Sequence, residues 1–241
     1  MNSTLERLKF RSSGFTQLFF NGALGKTSVL KKKLHAYPSY NPPFPDTPAN
    51  LSLEQAQQNF AYFLANKNQR VTMVLDLLGE FGIELAVNSP DRKVLHQMDE
   101  WAYQQWPAIY QERLANNVDF NFLQTGFEQR IRSFLFDISV VLGECLLSTC
   151  PGANWVIGEK ISTEEEQPIV CNRIVILQST TADSLPFPNY QDMEAQVFYH
   201  YRQQVKSNEL ITADYRIGRV LGEAILNNLT QERAPEDLQR S

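Results

Sequence analysis

From Leu51 to Leu78 apolar residues recur at three- and four-residue steps. Leu53, Ala56, Phe60, Phe63 and Leu64 set the pattern and Val71, Val74, Leu75 and Leu78 repeat it, which predicts a helical hairpin or one bent pair of helices. Ser89-Pro90-Asp91 then supplies an N-cap, a first-turn proline and an acid near the positive helix end. It opens a helix with Val94, Leu95, Met98, Trp101 and Ala102 on one side, which Pro107 should stop or kink. A third helical region runs from about Phe120 to Ser148, ended by Pro151-Gly152.

Beyond that loop the period shortens. Trp155 to Ile157 and Ile169 to Leu177 are rich in β-branched residues and bounded by Gly158, the Glu164 to Glu166 run and Pro168, as expected of two strands joined by an exposed turn. Leu185 to Pro188 reads as a loop, and two helices, about Gln191 to Lys206 and Thr212 to Leu229, complete the pattern. Upstream, Thr4 to Phe10 and Thr27 to Leu34 are short helix-prone pieces on either side of the apolar patch Phe15 to Phe20. Five prolines make Tyr37 to Asn50 an extended connection whose aromatics Tyr37, Tyr40 and Phe44 are expected to clamp it onto the body, the alternative being that they dock a partner. The expected fold is α+β, mostly helical, with a central buried helix and a small antiparallel sheet. Residues 1–50 read as an N-terminal segment with the proline-rich connection, 51–230 as a single α+β domain and 231–241 as a polar tail.

The stretch Arg130 to Cys150 carries the most information. Its apolar positions surround nearly the whole helix, the signature of a buried central element. Arg130, Asp137 and Glu144 nevertheless recur every seven residues, and two helical turns return such positions to within about 20° of one another. A buried, unpaired carboxylate costs several kcal/mol or titrates upward, so Asp137 and Glu144 must meet a cation, donors, water or a ligand. Arg132, Arg173, Arg216 and Arg219 are the expected cations; the alternative is a polar pocket above the helix where the two acids act on a bound small molecule, as an enzyme or binding protein would. Leu-Gly-Glu recurs at 78–80, 142–144 and 221–223, which points to close helix crossings at Gly143 and Gly222 and a helix end near Gly79.

Charge and motifs narrow the function classes. The 241 residues hold 22 Lys and Arg against 27 Asp and Glu, a net charge of −5, with no basic run beyond Lys31 to Lys33, so nucleic acid is not an expected partner. Charged residues make up only 20%, so a partner would be recognised by shape and hydrogen bonds more than by a strong field. No apolar run reaches the roughly 20 residues of a membrane span and no secretory leader is legible, and Cys145, Cys150 and Cys171 are odd in number, which reads as a cytoplasmic protein with free thiols. The segment FFNGALGKTS, residues 19–28, resembles a phosphate-binding loop but has Phe20 where the first glycine belongs. His35, His96 and His200 lack a second ligand at helical spacing, and Cys145 lies inside a helical pattern, so no catalytic residue, metal or cofactor is expected. The acidic turn from Glu159 through Glu164 and Glu165, beside Trp155, is the expected contact surface for a basic protein partner, unless Trp155 faces the core.

Asp137, Leu142, Gly143 and Glu144, followed by Trp155 after a Pro-Gly loop and by the strand that Pro168 opens, give residues 71–106 and 137–177 a resemblance. They resemble uncharacterised bacterial α+β families often encoded beside secreted toxins. The resemblance implies an immunity-like cytoplasmic binding protein that occupies a toxin's active cleft, and it implies no catalytic residue.

Overall fold

The computed structural model describes residues 29–116, 125–159, 171–178 and 189–206. Six helices lie in these segments: α1 (Val29–Leu34), α2 (Leu53–Gly79), α3 (Arg92–Gln105), α4 (Glu112–Asn116), α5 (Gly126–Thr149) and α6 (Met193–Lys206). Short 3-10 turns cover Pro48–Asn50 and Trp106–Ile109, and three strands, β1 (Asn154–Ile157), β2 (Ile174–Gln178) and β3 (Asn189–Gln191), form an antiparallel sheet in that order. The class is α+β, as the change of period implies. The helix-prone piece at Thr4, the phosphate-loop-like segment, the helix from Thr212, Gly222 and the tail lie outside the described residues.

The predicted hairpin or bent pair is instead one helix of 27 residues, because nothing between Leu53 and Leu78 is a proline or glycine that would break it. Ser52 opens α2 with a reciprocal capping box to Gln55. Its far end closes where the Ile83 N–H donates to the Leu78 carbonyl (3.1 Å) across Gly82, whose φ of 76° places it in the left-handed region. The next helix starts two residues later than the sequence suggests: Asp91, not Ser89, is the N-cap, and its carboxylate accepts the Lys93 N–H (2.6 Å). The 3-10 turn at Trp106 to Ile109 follows it where Pro107 predicts a stop.

Every residue of α5 from Ile131 to Gly143 is buried. It packs against α1, α2 and α6, which makes it the central helix the apolar pattern announces. The extended connection is built into the same core. Tyr37 and Tyr40 are buried, the Tyr40 N–H donates to Ser133 Oγ (2.8 Å), and Asn59 both accepts the Phe44 N–H (3.0 Å) and donates to the Phe44 carbonyl (2.8 Å).

β1 and β2 pair with Trp155 opposite Ile176 and Ile157 opposite Ile174. Just past that register two residues face one: the Gly158 N–H donates to the Arg173 carbonyl (2.8 Å) while the Asn172 N–H donates to the Gly158 carbonyl (2.9 Å). Asn172 takes the left-handed φ of 59° that such a bulge demands, and its side-chain amide donates to the Leu51 carbonyl (2.8 Å). That bond ties the end of β1 to the start of α2. Strand β3 has no counterpart in the sequence reading, since three residues are too few to show a period. Among the described residues no helix is long and apolar enough to cross a membrane.

Candidate functional site

The heptad stripe on α5 turns its acids toward α2. Asp137 is completely buried, and Arg70 grips it with both arms of the guanidinium, Nε to Oδ1 at 2.8 Å and Nη2 to Oδ2 at 2.5 Å. The Tyr37 hydroxyl donates to Oδ2 at 2.6 Å, and the guanidinium lies 5.6 Å from the Tyr37 ring centre and 5.7 Å from that of Tyr40. Two helical turns along α5, Glu144 Oε1 accepts from Lys67 Nζ (2.7 Å) and from Trp155 Nε1 (2.6 Å). Lys67 and Arg70 are one turn apart on α2, so the two acids form two rungs between antiparallel helices.

The expected cations are therefore corrected. Arg132 and Arg173 do not meet this stripe; Arg132 binds Glu194 (2.6 Å), and Arg173 binds Asp192 and Glu194 at the start of α6. Arg132 precedes Asp137 by five residues, roughly 140° round the helix, and so faces α6 instead of α2. Arg216 and Arg219 lie outside the described residues. The sequence did hold a signal for Arg70: it falls in step with Phe63, Val74 and Leu77 on the buried face of α2, where an unpaired cation would be costly.

Burial governs the chemistry of both clusters. It pushes the Asp137 carboxyl up to about 6 against the opposing pull of Arg70 and Tyr37, and raises the Tyr37 hydroxyl well above its usual range. Arg70 remains a cation, because Asp137 outweighs the cost of its burial. In the second cluster, burial lowers Arg132 to about 10 and raises Glu194. Burial, with Glu144 next to it, drives the Cys145 thiol up to about 12, which leaves it a poor nucleophile. Cys145, Cys150 and Cys171 form no disulfide, and Cys150 Sγ accepts from Gln178 Nε2 (3.4 Å).

The pocket reading placed Asp137 and Glu144 in a concavity above the helix. A cleft does open beside α5, with room of about 50 Å³, between the proline-rich connection and the β2–α6 junction. Tyr40, Phe44, Leu51, Phe136, Arg173 and Glu194 are among its walls, and neither Asp137 nor Glu144 reaches it. Asp137 is sealed beneath Tyr37 and Arg70. Among the described residues no three His, Cys, Asp or Glu side chains gather as a metal site would require.

Trp155 faces inward. Its ring meets Phe63 edge-on at 5.2 Å between centres and lies over Gly143, so the close approach expected at that glycine is made by a strand and not by a crossing helix. Glu159, just after β1, is exposed, while Glu164 and Glu165 lie outside the described residues. Thus Asp137, Glu144 and Trp155 come together in one ladder, buried at Asp137 and half-buried at Glu144 and Trp155, and Glu159 stands apart from it.

One surface was not anticipated. Between the exposed acids Glu54 and Asp76, the residues Gln57, Gln58, Ala61, Leu64, Ala65, Asn68, Gln69 and Thr72 form the exposed side of α2 over four turns, and none of these eight is charged. The two charges in that stretch, Lys67 and Arg70, both turn inward to the α5 acids. Leu64 is 47% exposed, and Leu53, on the same flank, is 60% exposed. Comparison with protein-family models, curated proteins and solved structures finds no match.

Proposed function

We propose that this is a soluble, cytoplasmic, non-catalytic protein-interaction module, and that its contact surface runs along the outer side of α2. The observation that carries this reading is the charge-free face from Gln57 to Thr72. Solvated helices ordinarily expose charge, and depletion of charge is what distinguishes the centre of a protein contact from the rest of a surface. Here amides surround an exposed leucine in a chain whose nearby cations pair with the acids of α5. Toxin neutralisation of the immunity type is the form of this activity to which the resemblance around Asp137, Glu144 and Trp155 leads. Glu159, exposed just after β1, is an acid suited to a basic partner; Glu164 and Glu165 of the expected acidic turn lie outside the described residues.

The experiment is affinity capture from the source cell with the wild-type chain and with Ala61→Glu combined with Leu64→Glu. Both positions are exposed and glutamate favours helix, so the melting temperature should hold. One stoichiometric protein partner, depleted at least tenfold by the double substitution, is expected, and a secreted toxin among such partners supports the immunity form. A partner retained equally by both chains overturns this surface.

A further inference from the structure

The backbone of β1 offers a second, independent feature beside that face. Because the Gly158 N–H points at β2, the alternation of an antiparallel ladder turns the N–H of Val156 the same way and those of Trp155 and Ile157 outward. Among the described residues β1 pairs with β2 alone, so those outward groups lie on a sheet edge. The strand runs antiparallel along α2: Trp155 sits on Phe63, and the bulge at its other end is tied to Leu51. On α2, Leu53, Phe60 and Leu64 fall within roughly 40° of one another and adjoin Lys67, the residue that reaches toward Trp155 through Glu144. They span about 16 Å of helix beside about 13 Å of strand. A strand laid outside β1 would therefore find backbone partners on one side and an apolar shelf beneath it.

Resting on the interaction reading above, we infer that the partner contributes an extended segment that adds to the sheet at the β1 edge, its alternate apolar side chains seated on Leu53, Phe60 and Leu64. Charge selects the occupant. Glu54 and Glu159 are both exposed at the end of the site where β1 meets the start of α2, so the segment carries a basic residue there. A second copy of this chain would add another net −5 and is the less complementary occupant.

The test uses random dodecapeptides displayed on phage and selected against the full chain, with Ile157→Pro as counter-target. Proline at 157 removes an outward N–H and leaves the β1–β2 ladder its donors at Val156 and Gly158. Enriched peptides should alternate apolar and β-favouring residues with a basic end, and bind Ile157→Pro at least tenfold more weakly. Since that variant could also unfold the hairpin, amide exchange is read on the wild-type chain: Trp155 and Ile157 should slow at least tenfold when a selected peptide binds. Absence of enrichment, equal binding to Ile157→Pro, or unchanged exchange at both amides overturns strand addition. Peptides lost on Ala61→Glu/Leu64→Glu with exchange at Trp155 and Ile157 unaltered would leave the α2 face standing and remove the edge alone. A doubled mass in sedimentation that Ile157→Pro abolishes would make a second copy the occupant and overturn the basic segment.

Discussion

A β-carbon added to Gly143 would stand 2.2 Å from Cζ2 of Trp155. Glycine here sacrifices about 1 kcal/mol of helix propensity so that an indole can come up against the helix. Gly143→Ala should therefore destabilise by about 1–3 kcal/mol, against its gain in propensity, because the ring cannot bend away. Urea unfolding measures this, and Trp155→Leu in the Gly143→Ala background should recover part of the loss.

Arg70 and Asp137 should behave as a unit. Removing either alone leaves a buried charge, so Arg70→Met or Asp137→Leu is expected to cost about 3–5 kcal/mol. The double variant Arg70→Met/Asp137→Leu should cost much less than the sum of the two, and a double-mutant cycle by urea unfolding reads the coupling.

Glu144 differs because its side chain keeps 21% of its exposure. Glu144→Gln retains an oxygen for the Trp155 N–H and loses only the charge facing Lys67, so a cost below about 1 kcal/mol is expected. Calorimetry that finds several kcal/mol would show this rung to be as tightly held as the one at Asp137.

The pH dependence has a sign set by burial. The folded Asp137 carboxyl titrates at about 6, above its ordinary 3.8, so the folded chain holds this proton more tightly than the unfolded one. Its contribution to stability is fully present below pH 3.8 and is lost as pH rises through about 6, a change of ~3 kcal/mol in full. The stability difference between wild type and Asp137→Asn, followed by urea unfolding from pH 4 to 7, should accordingly shift against the wild type as pH rises. A shift in its favour would mean that Arg70 outweighs desolvation.

Legibility in the sequence tracked the range of the interaction. The all-round apolar pattern of residues 131–146 marked α5 as central, and the seven-residue recurrence put Asp137 and Glu144 on one side of it, because both are properties of a single helix. Their partners were not legible, since Arg70 and Lys67 lie 67 and 77 residues away and only the packing of α2 on α5 brings them close. Gly143 announced a close neighbour without naming it. The charge-free side of α2 was equally hidden. Its composition is readable, but only knowledge of where Lys67 and Arg70 point shows that the outward side from Gln57 to Thr72 has no charge.

Tyr37 and Tyr40 bear on how the chain can be divided. They close over Arg70 and Asp137, and Leu30 and Leu34 of α1 lie in the same core, so a fragment cut at Leu51 would strip the roof from the ion pair and admit water to it. An autonomous piece must therefore include α1 from Val29, and the proline-rich stretch behaves as a keystone of that piece instead of a tether between parts.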